Sequence, residues 1–391
     1  MKILLLTSSF PSQGYPYHGI FVRELAEYIT EYGHIVHVVA PRSDSDKEQY
    51  SINPSLIVHK FKYSGYVKRT VSAQSKGIPF SAFPYILNMF FQSLKIVRKE
   101  KIDIVHCYWV IPAGFVGILL SILTKVPVVA TSPGSDLAVW SYRPLIKNVI
   151  AFILKRLSFL FTLGTKLRER ALELGMPSDK ITALLGDGGM NPRLFHPMKR
   201  KRLLRKKIGI PANAFLALYI GRLAPPKRLD LIFKPIAEDH NVYFLVIGDG
   251  VDRPKYETMC QKLDLQERVL FAGAIPHDDL PPYYAEADVI VYPSESEGLP
   301  STIMEGMCMG VPTIASSVGG ISDLIAHGNN GYLSENTTEA FSELFRQYIK
   351  DRKLQERMKK NAVLFARKNL YYTSIMKDIL AVYKRLIEAP R

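Results

Sequence analysis

The stretch VIVYPSESEGLPSTIMEGMCMGVPTIA, Val289 to Ala315, decides the fold class. Val289–Pro293 reads as a buried strand and Ser294–Gly298 as a turn. Pro300 suits the first position of a helix, where its missing N–H would be unpaired anyway. That helix runs to Met309 and stops at Gly310, and Pro312–Ala315 is the next strand. Two buried strands joined by a helix belong to a parallel sheet with helices on its faces.

The same alternation extends in both directions. Upstream in this half, strands are expected at Phe215–Gly221, Tyr243–Gly248 and Val269–Gly273. In the first half they are expected at Ile3–Thr7, Ile35–Ala40, Ile57–Phe61, Ile104–Tyr108, Val126–Thr131 and Phe159–Leu163, with helical patterns at Ile20–Glu31 and Phe83–Lys99. Two α/β, Rossmann-like doubly wound domains follow, facing across a cleft. A chain of 391 residues also exceeds what one core usually supports. The alternation breaks at NPRLFHPMKRKRLLRKKIGIP, so the expected domains are 1–190 and 211–371, joined by a basic linker at 191–210. Ligands of such sheets bind beyond the carboxyl ends of the strands.

Composition is that of an ordinary folded protein, 47% hydrophobic and 22% charged. Cys107, Cys260 and Cys308 are far apart, without zinc or disulfide spacing, which fits a reducing cytosol. MKILLLTSSF reads as a first strand and not as a signal peptide. The apolar run Val110–Leu123 is shorter than a membrane span. The net charge of +15 is uneven: residues 1–190 hold 22 basic and 13 acidic groups, 191–210 hold eight and none, and 211–391 hold 21 and 23. The first half and the join therefore face something anionic: a membrane surface, nucleic acid or a phosphorylated substrate.

The chemistry concentrates in two turns. Glu297 lies ahead of the helix that starts at Pro300, and Glu305 lies more than a turn inside it. Between them, backbone N–H groups at Gly298, Leu299 and the first helical turn favour an anion such as a pyrophosphate. Each carboxylate can accept hydroxyl hydrogen bonds, and charge-assisted bonds are the stronger kind. A ligand with phosphates in the middle and hydroxyl-rich ends, a nucleotide sugar, suits this pattern. In YIGRLAPPKRLDLIF, Arg222 and Lys227 flank a Pro-Pro turn after a strand, where both cations can reach one diphosphate and stabilise it as it leaves.

GRLAPPK, the VIGDG turn of Val246–Gly250, the E-x7-E pair of EGLPSTIME, and PTIASSVGGISDLI together resemble the donor domain of the retaining GT-B-fold glycosyltransferases of the family 4, group 1 type. GIFVRELAEYITEYGHIVHVVAP and DIVHCYWVIPAG resemble the acceptor domain of the same family. The resemblance implies that Gly221, Arg222, Lys227 and Gly250 serve the donor diphosphate and that Glu305 takes the ribose hydroxyls. Glu297, with the N–H groups of Gly298, Leu299 and Pro300's turn, holds the transferred sugar. Gly19 lets the backbone approach the phosphates, and Ile275 marks the main-chain contact to the base. It further implies a last helix, within 372–391, crossing back to the first domain, and no bound metal; the one D-x-D, Asp44–Asp46, sits in a polar loop. Two positions depart from the family. SPGSD places Pro133, beside Gly134, where a His is usual, so Asp136 and His106 are the remaining candidates on the sugar side, each with a structural role as the alternative. GDGGMN ends in Asn191 where the family has Asp.

Other classes fit less well. Gly248-Asp249-Gly250 lacks the third glycine of a dinucleotide fingerprint, no P-loop occurs, and a glycosidase leaves Arg222 and Lys227 unexplained. The alternatives kept are a nucleic-acid binder using the basic run and a nucleotide-sugar binder whose activity has lapsed at Pro133. The expectation is a cytoplasmic hexosyltransferase using a UDP- or GDP-sugar and a saccharide or lipid-linked acceptor. It would meet an anionic membrane through Pro84–Lys99 and Ile146–Arg156, which mix large apolar residues with Lys and Arg.

Overall fold

The computed structural model describes residues 1–12, 18–42, 47–62, 82–186, 189–197 and 204–389. The chain divides into two compact units: unit 1, Met1–Gly188 with Ile375–Arg391, and unit 2, Gly189–Ser374.

Unit 1 holds eight strands: β1 (Lys2–Thr7), β2 (Ile35–Pro41), β3 (Gln49–Asn53), β4 (Leu56–Phe61), β5 (Ile104–Tyr108), β6 (Val128–Ser132), β7 (Phe159–Leu163) and β8 (Ile181–Leu184). Their order is β3-β4-β2-β1-β5-β6-β7-β8, and only β3 runs antiparallel to its neighbour. β5 and β6 are buried at every residue, as strands of a sheet covered on both faces must be. The connecting helices are α1 (Ile20–Glu31), α2 (Ala82–Glu100), α3 (Phe115–Thr124), α4 (Ser135–Ala138), α5 (Pro144–Leu154) and α6 (Thr165–Glu173). The step from β1 to β2 runs opposite to the steps from β4 onward through β5, β6 and β7. Right-handed crossovers therefore put α1 on one face and α2, α3 and α5 on the other. Met89, Val116 and Ile150, one from each of those three helices, share a core with Leu4, Val105 and Leu160 of the sheet.

Unit 2 holds six parallel strands: β9 (Phe215–Ile220), β10 (Val242–Ile247), β11 (Val269–Gly273), β12 (Val289–Tyr292), β13 (Thr313–Ser316) and β14 (Gly331–Ser334), in the order β11-β10-β9-β12-β13-β14. Its helices are α7 (Phe233–Ala237), α8 (Arg253–Lys262), α9 (Pro281–Glu286), α10 (Ser301–Met309), α11 (Ile321–Leu324), α12 (Thr338–Lys350) and α13 (Arg352–Asn369); α14 (Tyr372–Glu388) follows, most of it counted in unit 1. The strand order reverses between β9 and β12, which makes their carboxyl ends a switch point of the kind at which open sheets bind ligands.

Four expected elements match residue for residue: α1, β5, β7 and β11. Three strands went unread. β3 is polar and partly exposed, and β8 and β14 are four-residue edges too short to show a period. Pro300 is the N-cap of α10, with extended ψ of 120°, and Ser301 takes the first helical position.

The described parts of the expected linker, residues 191–197 and 204–210, are counted in unit 2. Arg205, read as part of an anion-facing run, is 5% exposed. Its guanidinium donates to the carbonyls of Ala214 (2.5 Å) and Glu286 (2.9 Å), pairs with the Asp288 carboxylate at 2.9 Å and faces that of Glu286 at 3.4 Å. Asp288 also accepts from the N–H of Leu216 at 3.0 Å, at the start of β9. Residues 198–203 of the run, and Asp44–Asp46, lie outside the described residues.

Candidate active site

Two turns meet at the switch point of unit 2. The turn after β9 carries Arg222 and Lys227; the turn after β12 carries Ser294 and Glu297. Backbone and side chain both join them. Glu295 N–H donates to Pro226 O at 2.8 Å, and Arg228 pairs with Glu295 at 2.6 Å. The Lys227 ammonium donates to Glu297 Oε1 and stands 3.4 Å from the Tyr292 hydroxyl. Ser294 Oγ donates to the same Oε1 at 2.5 Å. Burial, then the negative charge of Glu297, pushes the Tyr292 phenol up, so it remains a protonated donor. Arg222 is exposed and makes no ion pair among the described residues. Its carbonyl accepts from Tyr219 OH at 3.1 Å, which fixes the backbone from which the guanidinium swings.

Glu305 lies one turn inside α10 and is 2% exposed. Its two oxygens face different partners: Oε2 accepts from Tyr284 OH at 2.6 Å, and Oε1 lies 3.0 Å from His277 Nε2. Burial first, and the charge of Glu305 second, raise the Tyr284 phenol, so it too stays a donor. Phe195 packs on both partners, at 5.3 Å from the His277 ring and 5.8 Å from that of Tyr284. His277 comes two residues after Ile275, which is half-buried just beyond β11. Thr302 of α10 donates to Ile220 O at 3.1 Å, tying the helix start to the end of β9. Pro300 supplies no side-chain cap; its carbonyl takes the N–H groups of Ile303 and Met304, which leaves those of Ser301 and Thr302 to face an anion.

The glycines of the donor motifs serve close packing. Gly319 has φ of 56°, and a Cβ there would stand 1.8 Å from Glu297 O. Its neighbour Gly320 donates its N–H to Gly298 O at 3.0 Å. Gly221 and Gly250 hold the turns after β9 and β10, which the bond from Leu223 N–H to Asp249 O (2.9 Å) links. Leu299, half-buried, packs beside Gly320. His277, Tyr284, Tyr292, Ser294 and the Gly319–Gly320 pair escaped sequence reading. Tandem glycine in SSVGGIS was the one visible signal, and its partner could not be known without the fold.

In unit 1, Pro133 and Gly134 form the turn between β6 and α4 and Asp136 lies in the first turn of α4, whereas His106 is spent in the core. His106 is fully buried, with Nδ1 on the Tyr383 hydroxyl and Nε2 2.8 Å from Thr131 Oγ1, and burial holds its pKa down to about 3. It is a neutral cross-link between β5, β6 and α14. Asp136, 1% exposed, accepts from Val110 N (2.7 Å), Ser132 Oγ (2.5 Å) and Leu137 N (3.0 Å). Burial raises its pKa and these bonds oppose the rise. The structure thus engages His106 and Asp136, the two candidates for the sugar side, in internal bonding. Gly19, at the N-cap of α1 with φ of 72°, has an internal reason to be glycine: a Cβ would meet Ser9 backbone at 2.5 Å. Among the described residues, no group of three or more His, Cys, Asp or Glu could hold a metal ion, and no helix is long and apolar enough to cross a membrane.

Residues 18–184 match the family described as Glycosyltransferase Family 4, and residues 200–364 match Glycosyl transferases group 1. The chain is 25% identical to N-acetyl-alpha-D-glucosaminyl L-malate synthase of Bacillus anthracis, covering 99% of this chain and 97% of that one. It is 26% identical to the putative teichuronic acid biosynthesis glycosyltransferase TuaC of Bacillus subtilis (strain 168), over 89% of each. Among solved structures, sucrose-phosphate synthase from Thermosynechococcus elongatus superposes with a TM-score of 0.75 at 20% identity, over all of both chains. Anabaena HepE in complex with UDP gives 0.75 at 18% identity, over 98% of this chain and 100% of that one. With two Rossmann-like sheets of the GT-B fold and both halves matched, the chain belongs to the family 4, group 1 glycosyltransferases, retaining enzymes that transfer a sugar from a nucleotide sugar.

Proposed function

We propose that this enzyme moves a hexose from a UDP- or GDP-sugar to a saccharide or lipid-linked acceptor, in the synthesis of a surface polysaccharide or glycolipid. The observation that carries the donor assignment is the arrangement at the β9–β12 switch point. Lys227 and Glu297 are held together there, ahead of an uncapped helix start, and the buried Glu305 stands one turn further in. In this reading Arg222 and Lys227 bind the diphosphate, assisted by the N–H groups of Gly298 and Leu299 and of Ser301 and Thr302 at the start of α10. Glu305 accepts the ribose hydroxyls, the Glu297 carboxylate accepts a hydroxyl of the sugar, and the main chain at Ile275 meets the base.

The reaction breaks the bond from the anomeric carbon to the diphosphate oxygen, and the electron pair leaves with the diphosphate. The acceptor oxygen bonds to the anomeric carbon on the same face, and its proton passes to a diphosphate oxygen. Arg222 and Lys227 stabilise the charge that develops there, the term that usually dominates such steps. The acceptor reading draws support from the relative named for teichuronic acid biosynthesis. The enzyme would act from the cytoplasmic side as a peripheral protein, with the basic first half against an anionic membrane.

The test is a titration of the full chain with UDP, GDP and ADP without added metal, followed by turnover with the matching sugar nucleotides. One of the first two is expected to bind in the micromolar range. Arg222→Ala and Lys227→Ala are expected to lower turnover on the order of a hundredfold while the fold is kept. Near-normal turnover in both variants would overturn the leaving-group assignment.

A further inference from the structure

The helices α2, α3 and α5 form one layer over unit 1, and the outward side of that layer is unusual. Of the twelve large apolar side chains most exposed among the described residues, seven project from these three helices. On α5 they make a stripe: Leu145, 81% exposed, then Val149 and Phe152, at intervals of four and three. Ile146, Ile150 and Ile153, each one residue on and so about 100° round the helix, pack into the core. The helix therefore has two neighbouring apolar stripes, one packed in the core and one exposed among the described residues. On α2, Phe91 is exposed beside Lys95, Arg98 and Lys99, around an open depression of about 530 Å³.

The charge around the layer is mainly positive, with Glu100 of α2 lying 3.6 Å from Lys99. From Lys95 to Arg168 the chain holds eleven basic and three acidic residues. Two of the three acids are engaged internally: Asp136 is buried and Asp103 accepts from Lys2 N–H at 2.7 Å. Lys147, Lys155 and Arg156 are exposed on or just after α5, and the Arg156 guanidinium sits 3.9 Å from the Phe152 ring centre. Cation and apolar anchor thus occupy the same spot.

We infer that this face of α2, α3 and α5 is the one that seats on an anionic phospholipid bilayer. Leu145, Val149 and Phe152 enter the interfacial layer, while Lys95, Arg98, Lys99, Lys147 and Arg156 meet headgroup phosphates. The inference rests on the membrane reading above and gives it an address. Interfacial helices combine these two features, since apolar burial and attraction to anionic lipid add. Nucleic acid would answer the cations and leave the exposed leucine and valine unrewarded. A second copy of the chain, related by a two-fold axis, would press like charges together.

The experiment is co-sedimentation of the full chain with vesicles of phosphatidylcholine alone and of phosphatidylcholine with phosphatidylglycerol, at low and high salt. The variants are Leu145→Ser with Phe152→Ser, and Lys147→Glu with Arg156→Glu. Val251→Ser, an exposed residue of unit 2, is the control, and melting temperatures report folding. Binding is expected to the anionic vesicles alone and to weaken with salt. The apolar pair should lower partitioning on the order of tenfold, and the charge pair by at least roughly fivefold per cation. Binding equal to wild type in both folded variants would overturn this face while leaving membrane association intact. No binding to any vesicle would overturn both. Salt-sensitive binding to DNA, or self-association that the variants abolish, in place of vesicle binding, would also overturn the assignment.

Discussion

Replacing Glu305 by Gln removes a charge from the buried position one turn inside α10 and keeps its volume. In the wild type each carboxylate oxygen faces one protein partner, Tyr284 OH at 2.6 Å or His277 Nε2 at 3.0 Å, so each retains a lone pair for a ribose hydroxyl. A hydrogen bond to a charged acceptor contributes about 1.5–3 kcal/mol and a neutral one about 0.5–1.5 kcal/mol. The loss is then about 1 kcal/mol per bond, about 2 kcal/mol for two bonds, and roughly a thirtyfold rise in Kd. The Tyr284 hydroxyl keeps Thr302 O at 3.3 Å, so the fold should survive. Calorimetry with the nucleotide that binds measures the effect, and the same titration with its 2′- and 3′-deoxy analogues closes a double-mutant cycle. The variant should discriminate less between the ribose form and the deoxy forms. A Kd within about threefold of wild type, or an equal loss for every analogue, would refute the ribose assignment, since bonds of this class differ by more.

Three further outcomes follow from the geometry. Arg205→Ala leaves Glu286 and Asp288 buried beside an empty site, a loss of about 3–5 kcal/mol; thermal unfolding should fall by roughly 6–20 °C at the size of this unit, and an unchanged melt would show that the pair is not needed. Gly319→Ala drives a methyl into Glu297 O, so sugar transfer should drop on the order of tenfold or more in kcat/KM as the donor turn shifts; full activity would mean that the turn is not braced there. His37, His59 and His106 are held below their ordinary 6.5, chiefly by burial, His59 to about 4 and His106 to about 3. Because the unfolded chain protonates them first, the stability they contribute is present above 6.5 and is lost as pH falls from there toward 4, by up to about 1.4 kcal/mol per pH unit each. Denaturant midpoints on either side of that value should show the decline, and a flat profile would contradict the neutral buried rings.

What was legible in the sequence had a local cause. Buried parallel strands such as β5 and β7 are mostly apolar, and α1 carries a full amphipathic period, so these elements could be bounded to the residue. Glu297, Glu305 and Lys227 were legible because turn chemistry fixes where they stand relative to strand and helix ends. What could not be read depends on partners distant in sequence. His277 meets Glu305 across 28 residues, and His106 meets Tyr383 across 277. Nothing near His106 distinguishes a catalytic imidazole from a core cross-link until α14 is in place. Arg205 shows the same limit for charge, because a run of cations reads as solvent-facing until two carboxylates from the end of α9 and the start of β12 are found around one of them.

The contact between Gly298 and the Gly319–Gly320 pair is made by main chain on both sides. Side-chain drift in either loop leaves it untouched, whereas a single inserted residue in one loop would misalign the other. The two loops can therefore diversify in sequence only at constant length. Chimaeras intended to exchange donor preference between relatives should carry residues 293 to 320 as one cassette, because a graft of the acidic turn alone would arrive without its brace.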